Sequence, residues 1–522
     1  MPGFHIEHFG CRAARADGEA IAGNLRALSE QEPFAADVVV VNTCSVTAEA
    51  DRAARAFIRR AHRRNPAAKI VVTGCYAQRA PQELAAMAGV AAVVGNSHKA
   101  LTPEIVLDLT RGLDLTRGLD VTRGAGRLSS RPQELVPVTS LLAASAPQSS
   151  AGGAQAPIWA DDRFAHSFIE DPSWGDALLA PGEQTRPNLK IQEGCGNRCT
   201  FCVIPFTRGP SKSLPHAVVM RRVESFVAAG GKELVLSGIN LGRWGRELVT
   251  PELAGEPDSP PTFGNARRTR IAEGGAPGDA VVPAVSFAGI VRKILERTAL
   301  PRLRLSSIEP MDWSGELIAL MGQFGGNRLA RHAHLPLQSG SDAVLRHMHR
   351  RYRPWHYAEK VDALLRAVGP ELTLGADVMV GFPGESDGEF EETVAFLRAL
   401  PFGYLHLFPF SARPGTRGWE LHSAAQVAPA TIGERLAILR ALAAEKGAAH
   451  RRQFVGRTLE AITLHTPAAI AGRGSTAALT ENFLPVELAG RFAANELLRV
   501  RVIGLNAVGS LECARENAAV LQ

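Results

Sequence analysis

Residues 193–205 read EGCGNRCTFCVIP and place Cys195, Cys199 and Cys202 on one short loop with the spacing C-x3-C-x2-C. Soft thiolate sulfur suits iron–sulfur clusters, and three thiolates can hold three of the four irons of a cubane. The remaining iron then keeps an open position, where a substrate can bind. The loop therefore predicts a cluster with one open iron. A zinc site or buried thiols is the alternative, although no second C-x2-C pair lies nearby.

The composition is that of an ordinary globular protein, and its 522 residues suggest three or four domains. Lys and Arg total 58 against 52 Asp and Glu, a mild basic excess that is compatible with nucleic acid. The seven cysteines do not form a disulfide scaffold. We see neither a signal peptide nor an apolar run of membrane-spanning length. We therefore expect a cytoplasmic protein with no membrane partner, in a reducing compartment that preserves thiolates.

Residues 1–100 alternate apolar, strand-like runs with helical stretches, which predicts an α/β domain with a parallel sheet. Cys11, Cys44 and Cys75 each follow one of the first three strand candidates. Loops at the carboxyl ends of parallel strands converge on one edge of a sheet. Taken singly, each cysteine is better interpreted as a small buried hydrophobe, but together they predict a second cluster site with three protein ligands.

The helix predicted after Cys44 is rich in arginine. Arg52, Arg55, Arg59 and Arg63 are spaced by three, four and four residues and should share one face. That face is either an RNA-backbone contact or a solvated surface.

The composition of the sequence changes at about residue 101. A six-residue repeat, LDLTRG, runs in tandem over 107–124, and Ser-, Ala- and Pro-rich sequence follows. We interpret residues 101–185 as a linker or insertion that contains this repeat.

Residues 186–452 form the largest predicted unit. Six strand candidates alternate with helices, which predicts a partial (β/α)6 barrel, and the three-cysteine loop follows its first strand. Residues 251–283 interrupt the pattern and are interpreted as a surface insertion. Residues 453–522 show short β-like runs that predict a small antiparallel barrel; Cys513 lies there and receives no function. The expected fold class is thus α/β multidomain with a C-terminal β-barrel.

Several stretches together resemble the radical S-adenosylmethionine methylthiotransferases, over nearly all the chain except residues 101–185 and 251–283. They include VVNTCSVTAEADR, KIVVTGCYAQ, KIQEGCGNRCTFCVIPFTRGPSKS, LVLSGINLG, HLPLQSGS, VMVGFPGE and FSARPGT. The resemblance implies a radical-generating [4Fe–4S] cluster on the catalytic residues Cys195, Cys199 and Cys202. It implies an auxiliary [4Fe–4S] cluster, the carrier of the sulfur, on Cys11, Cys44 and Cys75. It also implies S-adenosylmethionine as cofactor and an RNA-binding TRAM domain at residues 453–522.

The substrate depends on the member of the family. Relatives act on isopentenyladenosine or threonylcarbamoyladenosine in tRNA, or on an aspartate of a ribosomal protein. The stretches NTCSVTAEADRAARAFIRRA, VTGCYAQ and LRLSSIEP resemble the threonylcarbamoyladenosine group most. The resemblance thus implies methylthiolation at C2 of that base, in the anticodon loop of tRNA, with a reducing electron donor such as flavodoxin or ferredoxin. The rival outside this chemistry is a non-catalytic RNA-binding protein with structural metal, although structural sites normally have four ligands.

The resemblance also suggests contacts with S-adenosylmethionine at the carboxyl ends of the barrel strands. Each candidate is equally well a strand-end cap or turn residue. The candidates are Ser237, Gly238, Asn240, Gln338, Ser339, Asp377 and Gly381. His332 and His334 are interpreted as structural. Ala14 and Gly18 depart from the family pattern, which usually has Asn and then Ser or Thr at these positions.

Overall fold

A computed structural model describes residues 3–25, 28–112, 156–164, 168–169, 185–248, 285–506 and 509–516. The insertion predicted at 251–283 and residues 113–124 of the repeat lie outside these ranges. The described chain forms a parallel sheet with helices, an open partial barrel and a closed β-barrel. No described helix is both long and apolar enough to cross a membrane.

The N-terminal unit is built on a parallel sheet with the strand order β2-β1-β3-β4-β5-β6. Its strands are β1 (Gly3–His8), β2 (Ser29–Glu30), β3 (Val38–Thr43), β4 (Lys69–Gly74), β5 (Val90–Gly95) and β6 (Ile158–Trp159). Its helices are α1 (Arg12–Asn24), α2 (Ala48–Arg64), α3 (Cys75–Arg79), α4 (Pro81–Ala85) and α5 (Thr102–Thr110). Val39 and Val41 of β3 lie in the core with α2, whereas Val38 and Val40 lie in the core with α1 and α5. A run of four valines therefore covers both faces of the sheet, as buried parallel strands require.

Two parts of the predicted linker belong to this fold, which corrects the interpretation of residues 101–185. Helix α5 buries Ile105 and Val106 completely, and Ile158 of β6 pairs with Val93 of β5. A nine-residue helix and a two-residue strand are too short to be distinguished from the repeat and Ser-rich sequence around them.

The second unit contains six parallel strands in two sheets. Their orders are β10-β9-β7-β8, with β8 a short antiparallel addition, and β11-β12-β13. The strands are β7 (Asn188–Glu193), β8 (Lys212–Ser213), β9 (Glu233–Gly238), β10 (Arg302–Leu305), β11 (His332–His334), β12 (Thr373–Val380) and β13 (Phe402–Pro409). The helices are α6 (Ile204–Thr207), α7 (His216–Ala228), α8 (Phe287–Arg297), α9 (Gly315–Phe324), α10 (Asp342–His347), α11 (Pro354–Val368), α12 (Asp387–Ala399), α13 (Arg417–Ala424) and α14 (Pro429–Arg452). The arrangement is the predicted partial barrel of β/α units.

The alternating pattern of the sequence predicts the fourth strand of this unit at 334–337, whereas β11 (His332–His334) lies earlier in the chain. The N–H groups of Leu335 and Leu337 still donate to Gly375 and Asp377 of β12, at 2.9 and 3.2 Å. Gln338 then takes a left-handed φ of 69°. The apolar LPL run thus continues the pairing beyond the regular strand, which explains why the sequence pattern extends too far.

The strands of the second sheet have one polar and one apolar face. Register places His334 beside Gly375, Gly375 beside Tyr404, and Asp377 beside His406. The alternate residues of β12, Leu374, Ala376 and Val378, lie in the apolar core. Because side chains alternate across a strand, the helices cover the apolar face and the polar face lines the barrel interior.

The C-terminal unit is a closed barrel with the strand order β14-β15-β16-β18-β17. Its elements are β14 (Thr458–Thr463), α15 (Ala468–Ala471), β15 (Ser475–Thr480), β16 (Pro485–Ala489), β17 (Leu497–Leu505) and β18 (Leu511–Arg515). The prediction of an antiparallel barrel needs one correction, because β16 and β18 pair in parallel. This pair closes the barrel between strands that are not neighbours in sequence, so local patterns did not reveal it. Cys513 is buried in its core.

Buried charges join the C-terminal barrel to the partial barrel. Glu233 accepts from Arg302 Nη1 at 3.1 Å and from Arg304 Nε at 2.8 Å. Arg302 also pairs with Glu460 of the C-terminal barrel, and Arg304 Nη2 donates to the Thr480 carbonyl at 3.1 Å. Burial alone would raise the pKa of Glu233, but the guanidinium groups outweigh it and lower the pKa to about 2.

We expect Glu233→Gln to destabilise the protein strongly, because it takes the carboxylate away from buried Arg304 and leaves buried Arg302 with Glu460 alone. Breaking such a pair costs about 3–5 kcal/mol. The control Glu316→Gln removes a half-exposed partner of Arg292 and should cost less than about 1 kcal/mol. Urea and thermal midpoints measure both. The pKa of Glu233 is lower in the folded protein than in the unfolded chain. The extra stability of the native protein over Glu233→Gln should therefore be lost as pH falls from about 4.5 towards 2. Equal midpoints for the two variants would contradict this.

Candidate metal and cofactor sites

The structure brings Cys11, Cys44 and Cys75 to one edge of the N-terminal sheet. They follow β1, β3 and β4, which are neighbours in the sheet. The register pairs His8 with Asn42 and Asn42 with Thr73, so the three strands end at the same level. The prediction that these strand ends converge is confirmed. Cys11 is exposed, whereas Cys44 and Cys75 are buried.

The three thiols interact electrostatically. Burial, together with the neighbouring Cys75 and Cys11, raises the pKa of Cys44 to about 12. A cluster of thiols that resists ionisation becomes a good ligand set when a cation replaces the protons. Three sulfur donors at one sheet edge fit an iron–sulfur cluster.

Two polar side chains complete the surroundings of Cys75. Arg208 Nε and Asn96 Nδ2 donate to Cys75 Sγ at 3.3 and 3.4 Å. Arg208 Nη2 and Asn96 Oδ1 are buried and have no hydrogen-bond partner among the described residues. Hydrogen bonds to the sulfurs tune iron–sulfur clusters, so these orphaned atoms fit a bound group at this edge. No local sequence motif predicts this role for either residue.

One buried charge network joins the two cysteine groups. Arg208 Nη1 donates to Glu193 at 2.7 Å and to Asp17 at 3.2 Å. Lys99 and Lys190 each lie 2.5 Å from the Glu193 carboxylate. Glu193 stands two residues before Cys195, and Arg208 contacts Cys75. Three cations thus face two carboxylates, and the surplus positive charge suits thiolate ligands beside Arg208.

Cys195, Cys199 and Cys202 line a cavity of about 340 Å³. Asn240 Nδ2 lies 3.6 Å from Cys195 Sγ, and Arg350 Nη1 donates to Cys199 Sγ at 3.3 Å. Burial raises the pKa of Cys202 to about 12 and also raises that of Cys195. Three thiols around a cavity fit a cluster that shares this space with a ligand.

Arg350 was missed by sequence reasoning. Its Nη2 donates to both oxygens of Glu309 at 2.7 Å, and its Nε donates to the Tyr352 hydroxyl at 3.1 Å. Glu309 and Tyr352 therefore fix the orientation of the Arg350 guanidinium group, whose Nη1 points to Cys199. More than a hundred residues separate Arg350 from that cysteine, so no local motif signals the contact.

Three of the predicted cofactor contacts carry orphaned buried atoms. Ser237 Oγ, Asn240 Oδ1 and Gln338 Oε1 have no hydrogen-bond partner within the described ranges. The strained Gln338 is held by Met379 N–H, which donates to its carbonyl at 2.8 Å. Because buried polar atoms are normally paired, these three fit a polar ligand such as S-adenosylmethionine.

The other four candidates have visible structural roles, and their contacts with a cofactor remain predictions. Ser339 Oγ lies 3.0 Å from Thr393 Oγ1 and accepts from Ser341 N–H. Gly238 ends β9 and pairs with Gln192. Gly381 has φ +77°, and a Cβ there would meet Ile432 at 2.6 Å. Asp377 lies in the barrel interior.

Asp377 is held by two histidines. Its Oδ1 lies 3.4 Å from His334 Nε2 and 3.3 Å from His406 Nδ1. Burial alone would raise the pKa of Asp377, but the two neighbouring imidazoles outweigh it and lower the pKa. His334 Nδ1 lies 2.6 Å from Ser307 Oγ, which fixes the ring. His334, which the sequence interpretation treats as structural, therefore lines the barrel interior.

Of the departures at Ala14 and Gly18, only the one at Gly18 has a local cause in the structure. The Ala14 carbonyl accepts from Asn42 Nδ2 at 2.5 Å, which ties α1 to β3 through the backbone. Position 18 faces the His8 imidazole so closely that a Cβ would collide with it. The small residue at 18 and the histidine at 8 therefore fit each other.

The arginine face of α2 is divided. Arg52, Arg59 and Arg63 are exposed, whereas Arg55 donates to Tyr76 and to Glu83 at 3.1 Å. Three of the four guanidinium groups face solvent, so both interpretations of this face stand.

Comparisons with known proteins bear on both cysteine groups. A family model described as "Uncharacterized protein family UPF0004" matches residues 3–95, and one described as "Radical SAM superfamily" matches 189–397. The threonylcarbamoyladenosine tRNA methylthiotransferase MtaB of Bacillus subtilis is 30% identical over 494 residues, covering 93% of this chain and 90% of that protein. The tRNA-2-methylthio-N(6)-dimethylallyladenosine synthase of Syntrophotalea carbinolica is 29% identical over 427 residues, covering 81% and 79%. Among solved structures, the radical S-adenosylmethionine methyltransferase TsrM of Kitasatospora setae has a TM-score of 0.45 and 15% identity, covering 78% of this chain and 72% of that one.

Proposed function

We propose that this chain, which belongs to the family of radical S-adenosylmethionine tRNA methylthiotransferases, adds a methylthio group at C2 of threonylcarbamoyladenosine in the anticodon loop of tRNA. The family uses S-adenosylmethionine and carries two [4Fe–4S] clusters. The observation that carries the proposal is the pair of three-cysteine groups joined through Arg208 and Glu193. One group serves radical generation and the other serves sulfur delivery.

Each cluster has a ligand set in this chain. Cys195, Cys199 and Cys202 would hold the radical-generating cluster, and the edge formed by Cys11, Cys44 and Cys75 would hold the auxiliary one. When bound, these groups supply a 5′-deoxyadenosyl radical from S-adenosylmethionine and the sulfur that the product carries.

The protein's own side chains position these groups. Ser237, Asn240 and Gln338 offer buried polar atoms to S-adenosylmethionine, and Asn240 lies beside Cys195. Arg208 and Asn96 donate to Cys75 on the auxiliary side. Arg350 supports Cys199 and is itself fixed by Glu309. These donors hold the two three-cysteine groups at fixed positions relative to one another. Transfer of a group between two sites needs such fixed positions.

Threonylcarbamoyladenosine is proposed as the acceptor because the stretches around Cys44 and Cys75 and at residues 303–310 resemble that group of enzymes most. A base in a single-stranded loop is reached without opening a duplex. We also propose a TRAM-type RNA contact by the C-terminal barrel, a flavodoxin or ferredoxin as electron donor, and a cytoplasmic location. Isopentenyladenosine in tRNA and a ribosomal-protein aspartate are the alternative acceptors.

We expect the anaerobically reconstituted protein, with S-adenosylmethionine and a reductant, to convert threonylcarbamoyladenosine in tRNA to its 2-methylthio form. Nucleoside mass spectrometry should show one methylthio group in place of one hydrogen. tRNA that carries isopentenyladenosine, and isolated small-subunit ribosomal proteins, serve as matched acceptors. Modification of either in preference to threonylcarbamoyladenosine would reassign the substrate. Zinc without iron, and no cleavage of S-adenosylmethionine, would favour a non-catalytic RNA-binding protein.

A further inference from the structure

Arg12 is a half-buried cation without an anionic partner. It directly follows Cys11 and begins α1. Its guanidinium lies 5.5 Å from the centre of the Phe483 ring but forms no hydrogen bond or ion pair with any described residue. Buried guanidinium groups are normally paired, because burying an unpaired charge is costly. The group is therefore available to an anion.

Arg12 lies where all three units meet. Phe483 comes from the C-terminal barrel, and the His332 and Tyr404 rings of the partial barrel lie 4.3 and 5.6 Å from it, centre to centre. His332 Nε2 and the Tyr404 hydroxyl are 2.8 Å apart. Aromatic faces are the surfaces on which proteins stack unpaired bases. A cation beside aromatic rings suits a base that carries an acidic substituent.

The neighbouring charges do not satisfy Arg12. Arg304 lies 5.3 Å from the Phe483 ring centre and is bound by Glu233 and the Thr480 carbonyl. Asp377 influences Arg12 through space, but its carboxylate is held by His334 and His406. Arg12 is thus a half-buried cation that no carboxylate of the described residues binds, and its guanidinium is open to an anion.

We propose that Arg12 binds the carboxylate of the threonylcarbamoyl group and thereby selects this base over one with an apolar substituent. The inference rests on the proposed function. Guanidinium matches a carboxylate in a two-bond fork. C2 and N6 of adenine flank N1 on the same edge of the base. A residue adjacent to Cys11 that holds the N6 substituent therefore brings C2 towards the auxiliary cysteines.

The test compares two anticodon stem-loop RNAs that differ in one group. One carries threonylcarbamoyladenosine, and the other carries the same base with its carboxylate converted to the primary amide. Dissociation constants are measured by fluorescence anisotropy with the reconstituted protein and three variants: Arg12→Gln, Arg12→Lys and the control Arg15→Gln. Arg15 lies one turn further along α1, is largely exposed and sits 3.6 Å from Glu19.

We expect the native protein and Arg15→Gln to bind the carboxylate RNA about tenfold more tightly than the amide RNA. Arg12→Gln should reduce this ratio to about one, and Arg12→Lys should retain part of it. A merely structural role would weaken binding of both RNAs equally and leave the ratio unchanged. An unchanged ratio in Arg12→Gln therefore overturns the proposal, as does a native protein that does not discriminate.

Failure of the proposed function would look different. A protein that methylthiolates isopentenyladenosine and ignores threonylcarbamoyladenosine refutes the substrate itself. A protein that modifies threonylcarbamoyladenosine, but whose preference survives Arg12→Gln, refutes only the role of Arg12.

Discussion

Cys199→Ala should abolish reductive cleavage of S-adenosylmethionine. The loop offers three thiols for one cluster, so the variant leaves two, and no further described cysteine lines the cavity. Arg350 Nη1 also loses its sulfur acceptor at 3.3 Å. We expect the rate of 5′-deoxyadenosine formation to fall roughly a thousandfold or more, as when an essential catalytic element is removed. The product is quantified by chromatography after anaerobic incubation with a chemical reductant.

Iron analysis distinguishes a lost cluster from a damaged protein. Replacement of Cys195, Cys199 and Cys202 together should lower the iron content from about eight to about four per chain, because each cubane holds four irons. Cys513→Ala is the matched control, since Cys513 is buried in the C-terminal barrel away from both groups. It should keep about eight irons and full cleavage. Retained cleavage in Cys199→Ala would refute the assignment of the loop.

Much of this organisation could be predicted because the informative signals are local or periodic. The C-x3-C-x2-C spacing lies within eight residues of chain. Cys11, Cys44 and Cys75 each follow an apolar run, and parallel strands place such positions at one edge. That inference needed only the order of elements, and the register of β1, β3 and β4 bears it out.

The surroundings of the cysteines could not be predicted, because they depend on tertiary packing. Arg208 approaches Cys75 across 133 positions of sequence, and Lys190 reaches Asp17 across 173. A charged residue in an amphipathic pattern is normally exposed, so sequence reasoning gives no reason to expect Glu193 at the centre of a buried network. Such charges are recognised only when the fold brings their partners together.

Errors in the elements have a similar origin. The LPL run after β11 keeps the pattern of a strand, yet its backbone turns at Gln338 with φ 69°. The parallel pair of β16 and β18 depends on closure of the barrel and not on the turn between neighbouring strands. In each case a non-local pairing overrides the local pattern.

Cys44→Ala should separate the two halves of the reaction. Cys44 belongs to the N-terminal edge, on the other side of the Arg208–Glu193 network from the loop of Cys195. The variant should therefore keep 5′-deoxyadenosine formation within a few fold of the native rate but lose methylthio transfer to tRNA by roughly a thousandfold or more. Both products are measured in one anaerobic reaction, by chromatography and by nucleoside mass spectrometry.

The result depends on Cys44 acting as a ligand and not as a packing residue. Cys44 and Cys513 are both buried, and the same change to Ala removes the same sulfur atom from each. A packing role would therefore give similar, modest losses in both variants. Loss of sulfur transfer in Cys44→Ala alone, with cleavage retained, assigns the sulfur chemistry to the N-terminal edge. Full methylthio transfer by Cys44→Ala would show that the N-terminal edge takes no part in the reaction. The two three-cysteine groups would then not act together in one reaction.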